Sequence, residues 1–504
     1  MNQYSFYSNE ITSSELFDGL VSGGLFAEKM PSIFCSKKFL EHSKTLILPL
    51  TIKPTDYIRY SSMRNINIPR PLAIPEPFAY INQCHILSEN WPKLQTHFRD
   101  KTKNENFKVS RIHLRKLKNK DYLFEMNYKN SFKDGYPEQD IVIRSKYIAI
   151  ADISNCFPSI YSHSITWSLV GKNYSKKNRD ESHWFNQLDF YTRNLKYGET
   201  NGVLIGPHSS NLISEIILTS VDLEMQKLGY QYVRNIDDYT CYVKSYEEAE
   251  KFFLNLSEQL KKYELVLNYK KSEIIPLPKA SVQNWVTKLN HFNFTDIYQV
   301  KGKDTINTKV LKGFLDYSIE LMLSEGSNVA ILNYAIKIIA KWNLEKNSKT
   351  YLIKQIHHLV LLYPYLIQII EDFVFEPHSV NKKTIQEIAE DIYDYGVSNN
   401  IFEACSYGIY WALKYDFKLE NISIKEDSIK SLDCVFLIIS YLYDRKHQRK
   451  IYLKEYVDLA KELKKDDFDR FWIYVYEVLP WDVLPINYKL MKKSELSFIK
   501  SDYQ

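Results

Sequence analysis

Cysteine is scarce and scattered: six residues, at 35, 84, 156, 241, 405 and 434, with no C-x-x-C pair in 504 positions. That pattern argues against a structural zinc site and a disulfide framework, and fits a reducing compartment. Long hydrophobic runs are also lacking. The richest stretch, 359–370, is broken by Tyr363, Pro364, Tyr365 and Gln368, short of the roughly 18 apolar residues a membrane span needs. The opening residues Met1–Tyr7 have neither the basic start nor the apolar core of a secretory signal. A cytoplasmic protein with no membrane partner is expected. An excess of one charge is missing too, since 66 Lys and Arg face 61 Asp and Glu. Charge alone therefore announces no nucleic-acid partner, and local clusters must carry that argument.

What is present is ordinary core material, 45% apolar and 25% charged, with length for more than one domain. Tyrosine is frequent, at 39 residues. Codon bias in an AT-rich genome explains such a count, and a tyrosine nucleophile is the sharper reading. Composition singles out no one of them.

Residues up to about 100 mix short apolar runs with proline-rich turns at 68–71 and 74–77. A basic segment follows from Arg99 to Lys120, including Lys101, Lys108, Arg111, Arg115, Lys118 and Lys120. From Tyr147 to Pro278 the pattern alternates strand and helix: a strand ending at Asp152, a helix-rich insert over 162–197, a helix over 211–228, an acidic hairpin, a helix over 246–263 and a strand over 273–277. This order predicts a ferredoxin-like α+β layer. Beyond 301–308 amphipathic helices succeed one another, with stripes at Val329/Leu332/Ile336/Ile339, Ile385/Ile388/Ile392, Leu432/Val435/Phe436/Ile439 and Tyr452/Tyr456/Leu459/Leu463. The expected division is a domain over 1–300 and an all-α, HEAT-like repeat domain over 301–504.

The chemistry concentrates in three acids. Asp237 and Asp238 sit between apolar strands, with 235–238 read as the tight turn, and Asp152 ends the run Tyr147–Asp152. If the two strands lie side by side, three carboxylates converge. Such a set suits two Mg²⁺ ions (Mn²⁺ possible) about 3.5–4 Å apart, clamping the attacking and leaving oxygens of a phosphoryl transfer. A nucleotidyltransferase is expected.

Around these acids the sequence resembles the reverse transcriptases. Asp152 followed by Phe157 resembles their first catalytic motif, and the resemblance implies a metal-binding acid and an aromatic gate against a 2′-hydroxyl. The turn Asn201–Asn211 resembles their glycine-rich turn, placing Gly206 in the nucleotide pocket, with Ile205 where glutamine is common. Asn235-Ile236-Asp237-Asp238 resembles the Tyr-x-Asp-Asp box with Asn in place of Tyr. It implies a metal shared by Asp152 and Asp237 with the Ile153 carbonyl, and Asp238 beside it. Leu267–Ser272 resembles the Leu-Asn-x-x-Lys element, with Lys271 near the leaving pyrophosphate. By position the basic segment corresponds to the fingers, where Arg and Lys hold the triphosphate. Arg111 and Arg115 are candidates, four apart and so on one face if the segment is helical, and a solvated basic loop is the alternative.

The stretches 159–172 and 214–218 are similar to the abortive-infection (Abi) reverse transcriptases of prokaryotic phage defence, as is a right-hand-type fingers–palm core followed by helical repeats. That resemblance implies a DNA polymerase that uses dNTPs without a template and is primed by a protein tyrosine. It further implies a single-stranded product left covalently attached and a homo-oligomer. A conventional template-dependent, RNA-directed DNA polymerase is the alternative, and a non-catalytic scaffold a third reading. His163 and Trp167 are candidates for a nucleic-acid path or for structure.

Overall fold

The computed structural model describes residues 4–504 apart from 28, 66–67, 112, 117–123, 128–136, 281–282, 421 and 448–449. After three helices, over Tyr4–Asn9, Ser13–Gly23 and Lys37–Ser43, comes a two-stranded antiparallel hairpin, β1 (Tyr57–Met63) against β2 (Pro69–Pro75). The prolines at 69, 71 and 75, read from sequence as turn residues, lie inside β2. They share parity with Ala73, whose N–H leaves the hairpin to reach the Ile205 carbonyl at 2.8 Å. The missing proline donors therefore face away from β1, as an edge strand allows.

The basic segment is not the helix its arginine spacing suggested. A second ribbon forms there, β3 (His113–Lys116) against β4 (Phe124–Asn127), so residue 115 lies in a strand and residue 111 before it, and the two share no helical face. Lys118 and Lys120 lie outside the described residues, and Arg115 is described by its backbone alone.

The central sheet has four antiparallel strands, β5 (Tyr147–Asp152), β6 (Gln231–Asn235), β7 (Asp238–Val243) and β8 (Glu273–Pro276), in the order β6-β7-β5-β8. Helix α1 (His208–Lys227) connects β5 to β6, and α2 (Tyr246–Lys261) connects β7 to β8. This βαββαβ path with that strand order is the ferredoxin-like arrangement. The apolar faces of β5 and α2 meet through Ala149, Ala151, Ala249, Phe252 and Leu256, all buried. Ser245 caps α2 by accepting the Glu248 N–H at 3.2 Å.

Three short strands (Tyr298–Val300, Lys303–Ile306 and Asn343–Leu344) form a small sheet where the sequence pattern had shown only helices. Beyond them the chain is helical, centred on the antiparallel pair α3 (Lys382–Asn399) and α4 (Phe402–Tyr415). Ile385, Ile388 and Ile392 are buried as their spacing requires, but Leu432 is exposed, held at φ +49° between two helices. The C-terminal end returns to the start of the chain. Cys35 donates its N–H to the Phe498 carbonyl at 2.8 Å, and Phe39, Phe26 and Trp472 surround the Phe498 ring.

Candidate active site

Asp152 closes β5, and its Cα partner across the ladder is Asp238, the first residue of β7. Asn235 and Asp238 belong to the strands, so the turn is Ile236-Asp237 alone. The Asp237 carbonyl accepts the Ile153 N–H at 3.2 Å. Positions 152, 153, 237 and 238 therefore meet at one end of the sheet.

Their electrostatics follow from that crowding. Partial burial pushes the Asp237 carboxyl up to about 6, with the Asp238 and Asp152 charges adding to the rise. Asp238 shifts the same way, through desolvation first and Asp152 second, against the pull of Lys271. Lys271 reaches in from the loop before β8, its Nζ 2.5 Å from Asp152 Oδ2, and that hydrogen bond raises the ammonium pKa. Asn268 braces the same acid, its N–H on the Asp152 carbonyl at 2.7 Å and its amide 3.4 Å from Oδ2.

Among the described residues no three His, Cys, Asp or Glu side chains are drawn together as a metal cage. Lys271 instead supplies the local positive charge. The donor set nonetheless fits hard divalent cations: three carboxylates at one end of the sheet beside a backbone carbonyl at Ile153, with Asp237 and Asp238 holding their protons more tightly through burial and neighbouring charge.

The turn is held from behind. Ile236 has φ +59°, a left-handed conformation that a β-branched residue rarely adopts. Its carbonyl accepts a hydrogen bond from Arg234 Nη1 at 2.9 Å. The fully buried Arg234 guanidinium also donates to Asp222 at 2.6–3.1 Å and to Glu215 at 3.1 and 3.3 Å. Tyr232 donates its hydroxyl to Asp222 at 2.9 Å. Sequence reading passed over this network. The available signal was a cation inside an apolar strand and two acids seven apart on the apolar helix α1, a spacing that puts both on one face.

In front of the turn lies a cavity of about 330 Å³. Phe157, Ile205, Gly206 and Ile236 form its floor, while Arg64, Asn65 and Arg70 from the β1–β2 hairpin stand over it with Tyr365 from the helical region. Phe157 and Gly206, chosen from separate motifs, thus share one cavity. Gly206 has φ +130°, and a Cβ there would sit 2.9 Å from the Ala73 carbonyl of β2. Glycine is required because the floor abuts the hairpin backbone. Gly206→Ala is expected to destabilise the fold by about 1–3 kcal/mol, read as a lowered midpoint in urea.

The cations of this cavity differ from those expected. Arg111 is buried at the outer edge of β6, its N–H on the Arg234 carbonyl and its guanidinium 2.6 Å from Glu138. It is not among the residues that line the cavity, and its guanidinium is engaged by Glu138, so nothing here supports the triphosphate role expected of it. Arg64 and Arg70 were missed because their setting reads as a proline-rich turn. Arg64 Nε is buried with no hydrogen-bond acceptor among the described residues. His163 and Trp167 line a separate cavity, where His163 Nδ1 is 2.6 Å from the buried Asp189 and Lys172 lies over the Trp167 ring at 3.8 Å.

Residues 79–294 match the family model described as reverse transcriptase (RNA-dependent DNA polymerase). No curated protein matches the chain in sequence. Among solved structures it is similar to apo telomerase from Candida tropicalis lacking its C-terminal domain. That match has 14% identity over 54% of this chain and 57% of that one, with a TM-score of 0.28. Telomerase from Candida albicans in complex with a fragment of telomeric RNA matches at 10% identity over 75% and 62% of the two chains, with a TM-score of 0.30. The chain spans little more than half of the first of these structures. No helix among the described residues is long and apolar enough to cross a membrane. The family match covers less than half of the chain, and over those residues the chain is similar to reverse transcriptase domains.

Proposed function

We propose that this chain is a DNA polymerase that builds DNA from dNTPs without a template, starts each strand on one of its own tyrosines, and acts in abortive phage defence as a homo-oligomer in the cytoplasm. The product is single-stranded DNA still bonded to the protein, and the C-terminal helices serve as a HEAT-like repeat domain. The observation that carries the chemistry is the Asp152–Asp238 pairing, with Asp237 in the turn, beside a cavity holding Phe157 and Arg64. The apolar Ile205 in the cavity floor supports independence from a template, because that wall offers no side-chain amide to the bound nucleotide.

The residues divide the work simply. Arg64 and Arg70 receive the triphosphate, and the unmatched Arg64 Nε donates to a phosphate oxygen. Phe157 packs against C2′ of the sugar. Asp152, Asp237, Asp238 and the Ile153 carbonyl would hold divalent cations, which supply charge neutralisation at the α-phosphate and a more acidic hydroxyl. A tyrosine hydroxyl, and afterwards the DNA 3′-hydroxyl, forms the new O–P bond as the α–β bridging bond breaks. Lys271 offsets the charge on the departing pyrophosphate and can donate a proton to it. Positioning and electrostatics provide the acceleration.

Pure protein given Mg²⁺ and dNTPs, with neither template nor primer, is expected to make DNA that stays with the protein through denaturation. A strict need for added template and primer would replace this reading with the RNA-directed alternative. Phe157→Ala is expected to lower discrimination against ribonucleotides by about 10²-fold, measured as the ratio of kcat/KM for dATP and ATP. Unchanged discrimination would move the gate elsewhere.

A further inference from the structure

The hairpin that brings Arg64 to the cavity is fastened at its tip by the helical region. Glu403, buried in the first turn of α4, accepts the Met63 N–H at 2.7 Å and the Tyr60 hydroxyl at 3.3 Å. Gln368 donates to Ser62 Oγ at 2.9 Å, to the Met63 carbonyl at 3.3 Å and to Glu403 Oε1 at 3.0 Å. Asn65 donates to Asn328 at 3.1 Å. These bonds act on Ser62 and Met63, the last two residues of β1, and on Asn65 beyond them, and Ser62, Met63, Arg64 and Asn65 all line the cavity. Tyr365, one helical turn before Gln368, enters the same cavity, with Lys29 over its ring at 5.6 Å.

We infer that Gln368 and Glu403 are positioning residues that hold the tip of the β1–β2 hairpin, so that docking of the helical region and binding of a deoxynucleoside triphosphate are coupled. The inference rests on the cavity being the dNTP site. The physical case is one of freedom removed. A two-stranded hairpin is marginal in isolation, and one whose tip is free leaves Arg64 to order itself at the moment of binding, weakening affinity. Two polar side chains from the helical region bind its backbone at Met63 on both the N–H and the carbonyl. Coupling is reciprocal, so the nucleotide must in turn favour the docked helices.

Three variants of the full chain test this: Gln368→Ala, Glu403→Ala and Glu403→Gln. Burial pushes the Glu403 carboxyl up to about 7, against the hydrogen bonds it accepts. The amide isostere keeps one oxygen for the Met63 N–H but turns an NH2 toward the Gln368 and Tyr60 donors that share the other. Gln368→Ala and Glu403→Ala are expected to raise KM for dATP about tenfold while kcat stays within about threefold, and Glu403→Gln, which keeps the Met63 bond and loses the Gln368 one, is expected to fall between Glu403→Ala and native. Without nucleotide, amide exchange over 62–65 is expected to quicken in Glu403→Ala. In the native protein, dATP is expected to slow exchange over 364–403. Faster exchange at 62–65 with an unchanged KM would overturn the coupling, as would kcat and KM effects that follow only a loss of folded protein. Gln368→Ala, half-buried and small in volume change, guards against misfolding of the Glu403 variants. A native protein that binds no dATP would defeat the polymerase reading itself, whereas unaltered exchange at 62–65 in Glu403→Ala would defeat the fastening alone.

Discussion

Asp237→Asn is expected to be more stable than the native chain and yet to lose nucleotide incorporation by about three orders of magnitude or more. The two effects have one cause. With the carboxyl pushed from 3.8 to about 6 by burial and its acidic neighbours, the folded state binds its proton more tightly than the unfolded state does. Such a group costs nothing below the unfolded value near 3.8. The cost grows as pH rises toward about 6 and is complete above it. Two units would be a ceiling of about 3 kcal/mol, and partial exposure reduces this to about 1–2 kcal/mol.

In chelator, the amide variant is therefore expected to match the native protein in thermal midpoint near pH 4 and to exceed it at pH 7.5. Added Mg²⁺ is expected to reverse the order, because a cation that binds only the native carboxylates stabilises only the native chain. Equal midpoints at all pH values in chelator would show that neither burial nor the neighbouring acids raise the Asp237 carboxyl. Full incorporation by the variant would remove Asp237 from the site.

How much of this was legible in the sequence depends on how local each signal was. The acids at 152, 237 and 238 could be read because each ends or begins an apolar run, and strand pairing did the rest. The helix over 211–228 was legible from its period, starting in fact at His208. The β1–β2 hairpin was not, because proline normally marks a turn and only the sheet edge explains Pro69, Pro71 and Pro75 inside a strand. The cations that line the cavity went unread for the same reason. A run of Lys and Arg drew attention to Arg111, while Arg64 and Arg70 gain their position from a pairing that no short window shows. Tyr365, Gln368 and Glu403 lie some 300 residues from the hairpin they touch, and a helix period says nothing about which distant strand its polar residues meet.

The second large effect is expected at Arg234, which touches neither nucleotide nor cation in the proposed mechanism. Arg234→Ala leaves Asp222 and Glu215, both about 1% exposed, without the cation that compensates them. Breaking a buried network from one side in this way costs about 3–5 kcal/mol, a large part of the stability of an ordinary domain. Arg234→Lys is expected to recover little. One ammonium has three donors on a flexible stem and cannot replace the planar fork that reaches two carboxylates and the Ile236 carbonyl at once. The triple variant Arg234→Met, Glu215→Leu, Asp222→Leu separates the two duties of the network. It removes charge and counter-charge together, so its urea midpoint is expected to return to within about 1–2 kcal/mol of native. Incorporation is expected to stay well below native, because the strained turn at Ile236 has lost the donor to its carbonyl and Asp237 is no longer fixed opposite Asp152. Native activity in a stable triple variant would mean that the β6–β7 hairpin holds its own turn. Arg234 would then serve stability alone.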